Sequence, residues 1–203
     1  SCTGDPAKRA GNEFAFMMQA IQNIELLKGY EIQKIVTGCP HCFNTLKNEY
    51  PELGADFEVV HHTQLINQLI REGRLLLKGG GKFDGKKITF HDPCYLGRAN
   101  DVYEAPREVL EKLDAELVEM KRSKSKGLCC GAGGAQMFKD AEKGDKEINI
   151  ERTQDAIDVN ADYIATGCPF CNTMMTDGIK HFEKEEKVKV LDIAELISNA
   201  ADL

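Results

Sequence analysis

The 203 residues hold no apolar run long enough to span a bilayer: the pure stretches are a few residues long, such as Leu75-Leu76-Leu77, where a spanning helix needs about 18. Positive charge is also scarce. Against 33 acidic side chains stand 26 basic ones, a formal net charge of -7, so the surface lacks the field that non-specific nucleic-acid binding requires. The first residues, Ser1 to Gly11, mix charge, Pro and Gly and lack the apolar stretch of a secretory signal. Disorder is excluded by a hydrophobic content of 42%, enough for one compact domain or two small ones. Together these absences predict a soluble cytoplasmic protein with no nucleic-acid partner and no membrane span.

Cysteine is what the sequence has in excess. The eight lie at Cys2, Cys39, Cys42, Cys94, Cys129, Cys130, Cys168 and Cys171, as two CxxC pairs, one adjacent pair and two single residues. Thiols stay reduced in a cytosolic setting, so this clustering points to metal or redox chemistry and away from a disulfide scaffold.

The two CxxC pairs belong to an internal repeat. Ile35-Val36-Thr37-Gly38-Cys39-Pro40-His41-Cys42 aligns with Ile164-Ala165-Thr166-Gly167-Cys168-Pro169-Phe170-Cys171 at an offset of 129 residues. Upstream, Cys2 and Cys130 precede their CxxC pairs by nearly the same distance, so the repeat covers most of the chain. Each copy reads as helix, strand, cysteine turn, helix, strand, helix. In the first, helices are expected over 12–28, from Pro40 to the stop at Pro51 and Gly54, and from an N-cap at Thr63; strands are expected over 34–37 and 57–60. In the second, strands are expected over 87–90, 117–120, 163–166 and 188–191, with helices over 106–113 and 146–159, after Pro169 and after an Asp192 cap. The glycines between Gly79 and Gly85 read as a linker, dividing a first unit, 1–82, from a second, 83–203. Strands alternating with helices predict an α/β fold of mainly parallel sheets flanked by helices.

In such folds ligands gather at the carboxyl ends of strands, and Cys39, Cys94 and Cys168 each follow one. The second copy brings five thiols, Cys94, Cys129, Cys130, Cys168 and Cys171, from three loops. Thiolates suit iron-sulfur clusters, zinc or Cu(I), and five of them exceed what tetrahedral zinc uses. Gly131-Ala132-Gly133-Gly134 is no phosphate loop, because no Lys and Ser/Thr pair follows it. A thioredoxin-like dithiol would explain a CPxC turn but not the Cys129-Cys130-Gly131 loop. Elsewhere, His91 and Asp92 stand beside a candidate ligand and could orient it or cap the turn. His41, His61 and His62 have no carboxylate at a recognisable spacing and read as structural or solvated. Lys121, Arg122, Lys124 and Lys126 read as a solvated loop, or as a patch steering an acidic electron carrier.

The spacing Cys94, then Cys129-Cys130-Gly131, then Cys168-Pro169-Phe170-Cys171 resembles that of the cysteine-rich CCG domain family, known from heterodisulfide reductases of the B type and from the iron-sulfur subunits of glycolate and lactate oxidases. The resemblance implies a noncubane 4Fe-4S cluster held by those five thiolates, in an oxidoreductase subunit passing electrons from a partner to a disulfide, quinone or flavin centre. It further implies a companion subunit with ferredoxin-type clusters or a flavin, and is compatible with a peripheral membrane complex. The first copy departs from the pattern, with Ser1 where the CC pair would begin and no initial cysteine. The expectation is an N-terminally truncated repeat, in which Cys2, Cys39 and Cys42 are three of four ligands for zinc or a second cluster once an upstream cysteine is present. Apolar surface on that unit would then mark a missing face. The rival expectation is a zinc-binding structural or interaction module without turnover.

Overall fold

A computed structural model describes residues 2–77, 81–140 and 143–201. Among them are eight α-helices and six strands: α1 (Asp5–Arg9), α2 (Glu13–Gly29), β1 (Lys34–Thr37), α3 (Pro40–Asn44), β2 (Glu58–His61), α4 (His62–Arg71), β3 (Lys87–Phe90), α5 (Glu104–Leu110), β4 (Glu116–Leu117), α6 (Ile148–Asp158), β5 (Tyr163–Thr166), α7 (Pro169–His181), β6 (Lys189–Asp192) and α8 (Ile193–Ala201). All strand pairs are parallel. β1 pairs with β2, and the second sheet has the order β4-β3-β5-β6. The fold is therefore α/β with two parallel sheets flanked by helices. The repeat is visible in the fold: β5 starts at Tyr163, 129 residues after Lys34 starts β1, and Pro169 opens α7 as Pro40 opens α3.

In the four-stranded sheet, side chains alternate between two covered faces. Ile88, Phe90 and Ala165 meet Val109, Leu110, Ile193, Leu196 and Ile197 from α5 and α8, with Ile66 and Ile70 of α4 packed alongside. On the opposite face Ile164 packs against Met120, Ala156, Met175 and Ile179 of the α6 and α7 layer. Each such large side chain contributes about 1.5–3 kcal/mol by leaving water. A separate core joins Phe16, Ala20 and Ile24 of α2 to Leu46, Tyr50, Ala55 and Phe57. Its buried stripe follows the helical period, while Phe14, Met17, Met18 and Ile21 on the other side of α2 are exposed, as is Val36 of β1. This is the apolar face expected on the first unit.

Several boundaries differ from the sequence expectation. A short helix that the pattern does not predict, α1, precedes α2; Asp5 within it is buried and pairs with Arg9 of its own helix, at 3.1 Å. The helix after Pro40 loses α geometry at Asn44, passing into a π turn over 45–49 and a 3-10 turn over 50–53. Pro51 supplies no N–H and its ring crowds the carbonyl four residues back, so an α-helix cannot run through to it. The cap of α4 is His61, not Thr63: β2 runs through His61, whose Nδ1 accepts from the Thr63 N–H while its own N–H donates to Gln64 Oε1. The strand expected over 117–120 is Glu116–Leu117. After the Val118 N–H donates to the Ile88 carbonyl, the chain leaves the sheet and drops Met120 into the α6/α7 core. The Asp192 cap holds, its Oδ1 accepting from the Ala194 N–H at 2.8 Å. Of the expected linker, Gly79 and Gly80 lie outside the described residues, while Lys82 to Gly85 form a turn with Phe83 buried under the sheet. Ser1 also lies outside them.

Candidate metal centre

Parallel pairing sets the exits of β1, β3 and β5 at the carboxyl ends of their sheets, and the cysteine loops begin there. β3 and β5 are hydrogen-bonded neighbours, and the His91 N–H continues their ladder to the Ala165 carbonyl at 3.0 Å. The loop carrying Cys94 is thereby set beside the turn carrying Cys168. Cys168 caps α7 and Pro169 occupies its first turn, where a missing N–H is not needed. The third loop turns at Gly131, whose φ of +92° and whose close approach to Ile148 (3.3 Å from where a Cβ would stand) both require glycine.

These loops set the thiols in one row of electrostatically coupled neighbours. Cys94 meets Cys129, Cys129 meets Cys130, Cys130 meets Cys171, and Cys171 meets Cys168. All five second-copy candidates are brought together. The row continues across the repeat, because Cys168 also meets Cys39, and Cys39 meets Cys42, to which Thr3 Oγ1 donates at 3.5 Å. The two sets of candidate ligands thus abut. Cys2 stays exposed outside the row, its sulfur accepting the Gly4 N–H at 3.3 Å.

The thiols of this row are shifted in opposite directions. Cys129 accepts from Cys130 and Cys94 and from the Gly131 N–H at 3.3 Å, which together hold its thiol far below the ordinary range. Cys168 is likewise pulled down by the Cys171 and Cys39 thiols and by the backbone N–H groups of Cys171 and Phe170. Their neighbours are pushed up: Cys130 to about 12 by Cys129 and Cys39 to about 11 by Cys168, with Cys94 raised by Cys129, Cys171 by Cys130 and Cys168, and Cys42 by Cys39. At Cys129 and Cys168 the surroundings thus favour the anionic form, the form in which a thiol binds metal. A dithiol of the thioredoxin kind has its two sulfurs to itself, whereas Cys168 and Cys171 each have a further thiol partner outside their motif.

Around the sulfurs the surface is apolar, with Met137, Phe170 and Met174 packed on Cys130, Cys168 and Cys171. His91 completes the enclosure. It is buried, and a ring nitrogen lies with the sulfurs of Cys130 and Cys171 in a group whose atoms are all within 4.8 Å of one another. Desolvation, then the neighbouring Arg152 guanidinium, push its pKa down to about 3, so the ring is neutral. Its sequence neighbour Asp92 turns away from the sulfurs and fixes the loop, accepting both forks of Arg107, at 2.8 and 3.0 Å, and the Lys124 N–H at 2.7 Å.

The remaining histidines of the sequence reading hold the two copies together, and none of them is solvated. His41 does have a carboxylate partner, Asp5 at 2.9 Å and 36 residues away, and its ring lies against Tyr95 and Phe170. His61 Nε2 donates to the Gly167 carbonyl at 3.1 Å, and His62 Nε2 meets Asp192 Oδ1 at 2.9 Å. Where they meet, an open cleft is lined by Thr37, Gly38, Cys39, His62, Pro169 and Asp192. In the basic loop, Arg122 is bound to Glu151 and Asp155, and Lys124 pairs with Glu104, leaving Lys121 and Lys126 exposed. That loop is chiefly structural, with less free charge than its sequence suggests.

The donor set fits an iron-sulfur cluster on structural grounds. Cys129, Cys130, Cys168 and Cys171 share an apolar cluster with Cys94 beside Cys129, the Gly131 N–H points at the Cys129 sulfur, and a buried neutral imidazole adds an N–H source.

Comparison with known proteins agrees. The family model of the cysteine-rich CCG domain matches residues 1–47 and 88–176. The chain is 45% identical over 199 residues to the probable iron-sulfur-binding oxidoreductase FadF of Bacillus subtilis, covering 98% of this chain and 28% of that protein. It is 42% identical over 207 residues to EtfAB:quinone oxidoreductase of Syntrophomonas wolfei, covering 99% of this chain and 29% of that protein. To the D-type polypeptide of the dihydromethanophenazine:CoB--CoM heterodisulfide reductase of Methanosarcina acetivorans it is 34% identical over 212 residues, covering all of this chain and 50% of that polypeptide. The heterodisulfide reductase relative is thus of the D type, where the motif alone suggests the B type. Among the described residues no helix is long and apolar enough to cross a membrane. With its thiol array and these matches, the chain belongs to the cysteine-rich CCG family, whose relatives include iron-sulfur oxidoreductases and reductase subunits.

Proposed function

We propose that this chain is the redox module of an iron-sulfur oxidoreductase and binds a noncubane 4Fe-4S cluster through Cys94, Cys129, Cys130, Cys168 and Cys171. The single observation that carries the reading is the gathering of those cysteines from three loops at the strand ends, with Cys129, Cys130, Cys168 and Cys171 in one apolar cluster and Cys94 beside Cys129. Bound there, the cluster would supply one-electron chemistry. The protein's part is to fix the sulfurs, exclude water with Met137, Phe170 and Met174, and offset negative charge with backbone N–H groups and the amino end of α7.

The names of the relatives supply the partners in this reading: electrons pass between a companion ferredoxin-type or flavoprotein subunit and a disulfide or quinone acceptor, in a cytoplasmic or peripheral membrane complex. The cleft beside Cys39 and Pro169 gives an acceptor access to the thiol row. We further propose two functional units, 1–82 and 83–203, with Cys2, Cys39 and Cys42 holding zinc or a second cluster when another cysteine joins them.

Replacing the cysteines one at a time tests the ligand set. Serine at 94, 129, 130, 168 or 171 should each bleach most of the visible absorbance of anaerobically purified protein, and Cys2→Ser should leave that of the second site. Retention of the full spectrum in Cys94→Ser together with Cys129→Ser would remove the five-thiolate assignment.

A further inference from the structure

We propose that His91 is a fixed hydrogen-bond donor to the cysteine cluster and not one of its ligands, its tautomer locked by the buried guanidinium of Arg152. The inference rests on reading the site as an iron-sulfur centre and adds a residue that sets its potential.

Arg152 fixes the arrangement. Its side chain is fully buried; Nη1 donates to the Arg122 carbonyl at 2.6 Å and to Asp155 Oδ2 at 3.2 Å. Asp155 is itself gripped by both forks of Arg122, at 2.7 and 2.9 Å. Held this way, Arg152 directs Nε at Nδ1 of His91, 3.0 Å away. A guanidinium N–H can only donate, because arginine stays protonated in proteins. Nδ1 of His91 must therefore present its lone pair, and in the neutral ring the proton sits on Nε2.

Nε2 is the nitrogen left to face the sulfurs. It is buried and has no hydrogen-bond partner among the described residues. A buried N–H without an acceptor is costly, so such an atom calls for a partner supplied by the site. The sulfurs of Cys130 and Cys171, grouped with the His91 ring within 4.8 Å, are the acceptors at hand.

The polarity of the Arg152 contact decides between donor and ligand. A metal-bound histidine normally donates its other ring N–H to a carboxylate or carbonyl. Here the other nitrogen accepts instead. Coordination through Nε2 would leave both nitrogens without a proton and demand an imidazolate. Donation needs no such change. An N–H directed at a cluster sulfur favours the more electron-rich, reduced state, and the Arg152 charge behind it acts in the same direction.

Two substitutions separate a donor from a space-filler. His91→Leu removes the N–H, and His91→Gln returns an amide N–H near the place of Nε2. Redox titration of the anaerobically purified protein should show the leucine variant shifted about tenfold toward the oxidised form at fixed potential, equivalent to about 59 mV for one electron. The glutamine variant should recover most of that shift. An unchanged potential in His91→Leu with full iron content overturns the proposal. Should the leucine variant lose its cluster, wild-type protein labelled with 15N-histidine decides: pulsed EPR should show only the weak coupling of a hydrogen-bonded nitrogen, and a directly bonded coupling overturns it. If iron and sulfide are absent altogether, the cluster reading fails separately. The tautomer is then read by 15N NMR of the diamagnetic protein, where a proton on Nδ1 overturns the locking by Arg152.

Discussion

Gly178 lies where α7 crosses α6, and its replacement by alanine sets two known effects against each other. In a helix interior alanine is favoured over glycine by about 1 kcal/mol. A Cβ at this position, however, would stand 2.0 Å from Thr153 Oγ1, 2.8 Å from Thr153 Cβ and 3.2 Å from its Cγ2. Thr153 is fully buried, so its side chain cannot swing into solvent and the helices must part. Overpacking of this kind costs about 1–3 kcal/mol, and contacts this short belong at the upper end. The clash therefore outweighs the propensity gain, and Gly178→Ala should lose about 1–2 kcal/mol. Adding Thr153→Ala removes the 2.0 and 3.2 Å contacts but keeps the one at 2.8 Å, so the pair should restore part of the loss. Urea midpoints under reducing, anaerobic conditions measure both. A Gly178→Ala protein as stable as the parent, or more so, would refute this packing of α6 on α7, and with it the placement of Arg152 behind the site.

Arg107→Met should destabilise by about 3–5 kcal/mol in the same assay, since it leaves Asp92 buried without its bidentate partner; a loss under about 1 kcal/mol would contradict that pairing. Protonation of His61 should weaken the fold in mild acid. Desolvation first, then the nearby His62, lower its pKa to about 3, with Asp192 opposing, so the unfolded chain binds the proton more readily. The stabilisation is complete above the unfolded value and is lost as pH falls from about 6.5 toward 3, by about 1.4 kcal/mol per unit. Unfolding measured between about pH 6.5 and 5, above most carboxylate titration, should show a shallower slope in His61→Gln; equal slopes would reject the assignment. Asn23→Leu should cost about 1–3 kcal/mol, because Asn23 Nδ2 donates to the Cys2 carbonyl at 2.7 Å and to the Tyr50 hydroxyl at 3.0 Å; a neutral effect on the urea midpoint would count against that anchor.

Much of the repeat is legible in the residues because its signals are local. A run ended by Gly-Cys-Pro specifies strand, turn and helix start at once at β1 and β5, and β3, ended by His-Asp-Pro-Cys, also falls where expected. What is illegible depends on partners far apart in the chain. The Asp5 carboxylate of His41 has no fixed spacing to it, and α1 is too short to show a period. Residue preference favours Thr63 as the cap because histidine seldom plays that part, yet β2 delivers the His61 ring to the right place. His91 does leave a trace: Ile88 and Phe90 share one face of β3, so Thr89 and His91 must face α6 and α7, where Arg152 and the cysteine loops meet. Sequence alone can place His91 beside the site but cannot reveal that its partner is a donor.

Iron, acid-labile sulfide and zinc counted per chain, on protein purified without oxygen, test the central claim most directly. About four irons and four sulfides at the second site, lost in Cys130→Ser, are what a cluster on this thiol row predicts. Zinc near one per chain with no sulfide would contradict it and make the chain a metal-stabilised module.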